Sequence, residues 1–137
     1  MKAKIAAFSA VVGLVLATSG LRAHHSFAAE FDASKPVTLK GVVTKIEWAN
    51  PHTYFYMDVT DPDGKVINWG MEMGSPNGLM RQGWTRNTLH IGDEVTVEGS
   101  QAKDGAHVGN ARVVTLASTG KRLFAASSQT DTPQQQR

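Results

Sequence analysis

Apolar and polar positions alternate with a period of two along much of this chain, in short runs cut by turn residues. That is the pattern of strands with one buried face. Residues 66–73 show it best, with Ile67, Trp69, Met71 and Met73 on one side and Asn68, Gly70 and Glu72 on the other. Residues 37–48 are rich in β-branched side chains and long for a single strand, and Gly41 inside them predicts a bulge or bend. Asn50-Pro51 forces a turn, because proline denies the helical region to the residue before it. Residues 54–59 then form a second strand, and Asp61-Pro62-Asp63-Gly64 is a strong hairpin turn into the third. Residues 94–99 and 110–116 read as the fourth and fifth strands, with a turn at Asp104-Gly105 and residues 121–124 continuing the fifth.

Between the third and fourth strands the punctuation changes. Ser75 before Pro76 is an N-cap with proline at the first helical position, and Gly83 is a stop. A helix of about two turns is expected there, with Leu79 and Met80 turned inward. The predicted class is therefore all-β: a small, five-stranded OB-like Greek-key barrel with one short helix between strands 3 and 4.

The two ends do not follow this pattern. Lys2 and Lys4 precede an apolar run over residues 5–16, too short to span a bilayer, and Leu21-Arg22-Ala23 closes it. Residues 1–23 are read as a signal peptide cut after Ala23, with Ser19 a competing cut, and the periplasm of a Gram-negative type bacterium is the expected location. Residues 24–35 form an N-terminal arm, 36–125 the OB-like domain, and 126–137 a disordered polar tail with little to bury. No second apolar run follows the leader, so stable membrane insertion is not expected.

Charge and cysteine content then narrow the function. The chain carries 14 Lys+Arg and 12 Asp+Glu. Lys2, Lys4 and Arg22 leave with the leader, so the mature part is close to neutral and slightly acidic. A nucleic-acid partner is not expected from that balance. There is no cysteine, which removes disulfides, thiolate catalysis and cysteine lipidation. No nucleophile elbow, HExxH pair or paired carboxylates appear, and a non-catalytic role is expected.

Several segments together resemble a known family. His24-His25-Ser26-Phe27, Phe31-Asp32, Gly41-Val42-Val43, Trp48-Ala49-Asn50-Pro51-His52, Asn68-Trp69, Glu72, Gly74-Ser75-Pro76-Asn77, Arg81, Gly83-Trp84 and Gly92-Asp93 are similar to the bacterial secreted family called domain of unknown function 6152. The resemblance implies a small exported domain. It adds weight to the histidine pair, Asn50-Pro51-His52, Glu72 and Arg81, and supplies no activity.

The chemistry begins at the processed end. If His24 becomes residue one, its α-amine and imidazole form one chelate, and a third ligand would complete a copper site. His25, His52 and Glu72 are the candidates to join it; the ordinary alternative is a solvated arm beside a cleavage site. Met71 and Met73 on one strand face, near Trp69, form a second candidate for Cu(I). This strand resembles the motif of periplasmic copper-efflux metallochaperones of the CusF type, although the spacing from the tryptophan differs and the preceding histidine is missing. Barrel core is the commoner role for such alternation, and Glu72, facing the other way, is expected to be the more exposed candidate. Ser75, Asn77 and Arg81 suggest an anion at a helix start. Trp48, Asn50 and Tyr54 suggest a face for a ligand or a periplasmic protein partner. The leading expectation is an exported, non-catalytic binding module for copper or another transition metal. The alternative is a metal-free OB-like domain that binds an envelope protein or other ligand.

Overall fold

The computed structural model describes residues 27–126. The leader, the His24-His25 pair and residues 127–137 lie outside them. The described chain runs α1 (Phe27–Glu30), β1 (Phe31–Glu47), β2 (Tyr54–Thr60), β3 (Val66–Glu72), α2 (Pro76–Arg81), β4 (Glu94–Ala102), β5 (Val108–Leu116) and β6 (Arg122–Phe124). The all-β expectation holds, with six strands in one sheet instead of five.

The strands pair in the order β3-β2-β1-β4-β5-β6. In addition β3 pairs in parallel with β5, through Gly70↔Val108, Met71↔Gly109 and Glu72↔Asn110, so the pairings of the first five strands return on themselves as a ring. The sixth strand was expected to continue the fifth. It is separate, because Gly120 at φ 70° reverses the chain and lays Arg122–Phe124 antiparallel to residues 113–115 of β5.

Strand β1 pairs with two neighbours, β4 and β2, in the one sheet. It starts at Phe31, six residues before the predicted start at Val37, and its 17 residues pair with β4 along the first part and β2 along the second. Pro36 falls inside the strand and not at its edge, and the register shifts between Phe31 and Pro36. The long-strand signal is matched at Gly41, where an added Cβ would lie 2.6 Å from the Asp58 carbonyl oxygen, so only glycine admits the approach. The bulge itself lies slightly further on, between Val43 and Lys45.

Helix α2 is capped as the sequence predicts: Gly78 N–H donates to Ser75 Oγ at 3.1 Å, and Pro76 opens the helix. Gly83, at φ 94°, provides the left-handed stop. The inward pair is corrected. Leu79 is fully buried but Met80 is 51% exposed, since one step of about 100° on a six-residue helix turns the next side chain outward.

The core lies inside the ring of strands. Phe55, Met57, Met71, Met73, Val95, Val97 and Val114 fill it, and Leu79 and Trp84 close one end. Trp84 keeps its indole N–H satisfied by donating to the Phe124 carbonyl at 2.8 Å, which ties the α2 segment to β6. Ala126 is buried as well, so the packed body reaches one residue into the stretch expected to be tail.

Candidate functional site

The β2–β3 hairpin determines what stands opposite what. Its register runs from Thr60↔Val66 back to Tyr54↔Glu72, which makes Tyr54 and Glu72 direct cross-strand neighbours on the face away from the core. The Tyr54 hydroxyl donates to Glu72 Oε2 in a short hydrogen bond. Glu72 is only 6% exposed, which corrects the expectation that it would be the open candidate. Tyr54 covers it from β2, and β5 runs alongside at Asn110.

His52 joins this pair from the β1–β2 connection, which contains a cis Asn50-Pro51 bond. The connection is held by Thr53, which donates its N–H to the Gly74 carbonyl and accepts from Met73 N–H. The His52 side chain is 30% exposed, and its Nδ1 lies 3.2 Å from the Met73 carbonyl oxygen and 3.7 Å from Glu72 Oε1. Both neighbours of Nδ1 are acceptors. The proton of a neutral ring therefore belongs on Nδ1, and Nε2 keeps the lone pair.

Burial holds the Tyr54 phenol well above its ordinary value near 10, and the hydrogen bond to Glu72 and the charges of Glu72 and Glu30 push the same way. Tyr54 is thus a neutral donor at any ordinary pH. Next along the same face, Tyr56 reaches Glu47 at 3.4 Å, Lys45 pairs with Glu47 at 2.5 Å, and the Lys45 ammonium sits 5.2 Å from the Tyr56 ring centre.

The N-terminal arm arrives at this place. Phe31 is 3% exposed and opposite Ala102, the Glu30 carbonyl accepts from Lys103 N–H at 3.0 Å, and Phe27 stacks on Phe31 with ring centres 5.7 Å apart. Ala29, Glu30 and Phe31 line an open cleft together with Tyr54, Glu72, Ala102, Lys103, Asp104, Ala106 and Val108.

The other expected residues are dispersed. Met71 and Met73 are 0% and 1% exposed, inside the core with Trp69, and their thioethers act as packing. Trp69 has His107 beside it, ring centres 5.2 Å apart. Ser75 spends its hydroxyl on the helix cap, and Asn77 and Arg81 are exposed on α2. Trp48 packs against the core rather than sharing a face with Tyr54, and Asn50 is exposed. His24 and His25 lie outside the described residues. The Tyr54–Glu72 bond and the role of Glu30 were missed by sequence reasoning. The hairpin turn carried the signal for the first: counting back from Thr60↔Val66 sets Tyr54 against Glu72.

The fold and site define a small, mostly β domain that carries a buried carboxylate between a phenol and an imidazole, beside an open cleft. A family profile matches residues 12–111, and the chain belongs to that family, a family of unknown function (DUF6152). No curated protein and no solved structure is significantly similar to the chain. The likeness to copper metallochaperones thus gains no support from these comparisons.

Proposed function

We propose that this protein is an exported, periplasmic, non-catalytic binding module that takes a transition metal, copper first, at His52. The OB-like barrel is part of the reading. It is supported by the ring of pairings through β1 to β5, by the long, bent first strand and by the short helix between β3 and β4.

The observation that carries the metal reading is the environment of the His52 ring. Nδ1 faces the Met73 carbonyl and the Glu72 carboxylate, an arrangement that fixes the tautomer and orientation of an imidazole whose other nitrogen meets a metal. Glu72 then acts behind the ligand, not as a ligand, with Oε2 held by Tyr54. Its buried negative charge offsets the cation that Nε2 would bind. Among the described residues no three His, Asp, Glu or Cys side chains are grouped to hold an ion, so further ligands come from outside that span. The His24 amine and ring, with His25, are the proposed source. His24 stands three positions before Phe27, where α1 begins, a reach of roughly 10 Å for extended chain.

The metal-free alternative, an envelope-protein binder using Trp48, Asn50 and Tyr54, is less well supported because Trp48 packs on the core. Titration with Cu(II) and Cu(I) separates the two. The protein beginning at His24 is compared with one bearing an additional N-terminal residue and with His52→Ala. Each change is expected to weaken copper by roughly ten- to a hundredfold, while Met71→Leu with Met73→Leu leaves it unchanged. Equal affinity in all four proteins overturns the proposal.

A further inference from the structure

The cleft beside Tyr54 has chemistry of its own. Its volume is about 370 Å³, within the range of roughly 300–1,000 Å³ typical of small-molecule sites. Phe31 and Val108 give it apolar walls, and the charged groups on it are Glu30, Glu72 and Asp104 against Lys103. We infer that this cleft binds a small organic cation, an ammonium group carrying a compact apolar body.

Two observations favour that class of ligand. First, Glu72, the most buried charged group on the cleft at 6% exposure, is at its wall. A desolvated carboxylate attracts a cation more strongly than an exposed one does, and repels an anion by the same margin. Second, Tyr54 occupies Oε2 of Glu72, while Oε1 stands 3.7 Å from His52, too far for a hydrogen bond. A carboxylate has about four lone-pair positions, so Oε1 keeps acceptor capacity for an N–H donor.

The walls select the body of the ligand. Ala102 and Ala106 are small and leave the space, and the Phe31 ring is fixed because it is 3% exposed and stacked on Phe27. A ring or short branched chain fills such a space better than a linear polyamine, whose further charges would meet Lys103. Glu72 is shared with the metal reading, where it acts behind His52, whereas Nε2 of His52 takes no part in holding the organic cation.

Benzylamine, as its ammonium salt, is a suitable probe, with benzyl alcohol and benzoate as neutral and anionic counterparts. Titrations of the isotope-labelled protein are followed by amide chemical shifts, with a chelator present so that copper plays no part. Benzylamine is expected to give saturable shifts at Phe31, Ala102, Lys103 and Val108, benzyl alcohol weaker ones, and benzoate none. Lys103→Gln should tighten benzylamine by about two- to threefold and Asp104→Asn should weaken it similarly, the scale of exposed charge pairs. Ala106→Phe, at an exposed loop position, fills the cleft and should abolish binding while leaving the rest of the spectrum unchanged. Benzoate binding as well as benzylamine, or benzylamine shifts that survive Ala106→Phe or fall elsewhere, would overturn the inference. So would the absence of shifts. None of these results touches the copper titration, so either reading can fail alone.

Discussion

Tyr54 stands against a carboxylate that has lost most of its water, and this placement governs how the phenol titrates. Its folded value is raised above the ordinary 10.0, first by burial and then by Glu72. Below pH 10 both folded and unfolded chains keep the proton, and the stabilising contribution is fully present. Above it the unfolded phenol ionises first, so stability is lost as pH climbs toward the folded value. The chain has two tyrosines, so Tyr56→Phe leaves Tyr54 as the only phenol. Its phenolate absorbance is expected to rise well above pH 10 in the folded protein and near 10 in urea, and coincident titrations would refute the assignment. Tyr54→Phe should remove the alkaline loss of stability attributed to this group. At this scale the sequence was legible for residue type but not for neighbours. Glu72 and His52 stood out by chemistry, whereas the exposure of Glu72 was misjudged because alternation says which face a side chain takes and not what covers that face. Here Tyr54 and the parallel β5 cover it.

At the scale of elements, closure depends on close backbone approaches. Gly99 sits where the β4–β5 register shifts between Glu98 and Gly99, and a Cβ there would fall 1.9 Å from the Asn110 carbonyl oxygen. That obstacle is backbone, so a strand must move. Gly99→Ala is expected to cost at least about 1–3 kcal/mol, as overpacking does, and to disturb the stretch of β5 next to Glu72. Gly64, at φ 82° in the hairpin turn with open space around it, is the control. Asparagine tolerates that conformation, so Gly64→Asn should change stability by no more than several tenths of a kcal/mol. Urea unfolding of both proteins decides the matter, and similar losses would show that the approach at Gly99 is not limiting. Strands, turns and the α2 cap were legible because each follows from a local rule: alternation, Asp-Pro-Asp-Gly, Ser before Pro. The extension of β1 back to Phe31 was not, because the β-branched run begins only at Val37 and only the pairing with β4 carries the strand through Pro36. The β3–β5 pairing was equally hidden, since no local rule joins residues 70–72 to 108–110.

The whole molecule brings Ala29, Glu30 and Phe31 of its N-terminal arm to the cleft lined by Tyr54 and Glu72, and the metal proposal asks that the residues before them reach His52. Phe31 is anchored by burial and pairing, and Phe27 extends the anchor toward the histidine pair by stacking on it. Pinning the arm raises the effective concentration of the N-terminal chelate at His52; freeing it lets the chelate explore a larger volume. Phe27→Ala should therefore weaken copper by roughly tenfold through that term, while costing only about 1 kcal/mol of stability from the lost ring pair. Phe27→Tyr, which keeps the stack, should restore affinity. Coupling provides the sharper criterion. In a His52→Ala background the arm has no ring to meet, so Phe27→Ala should change little further, and the double-mutant cycle should show an interaction between two residues on separate elements. If the two effects add, the arm binds copper on its own, and the meeting of the N-terminal chelate with His52 is refuted even though the chelate remains.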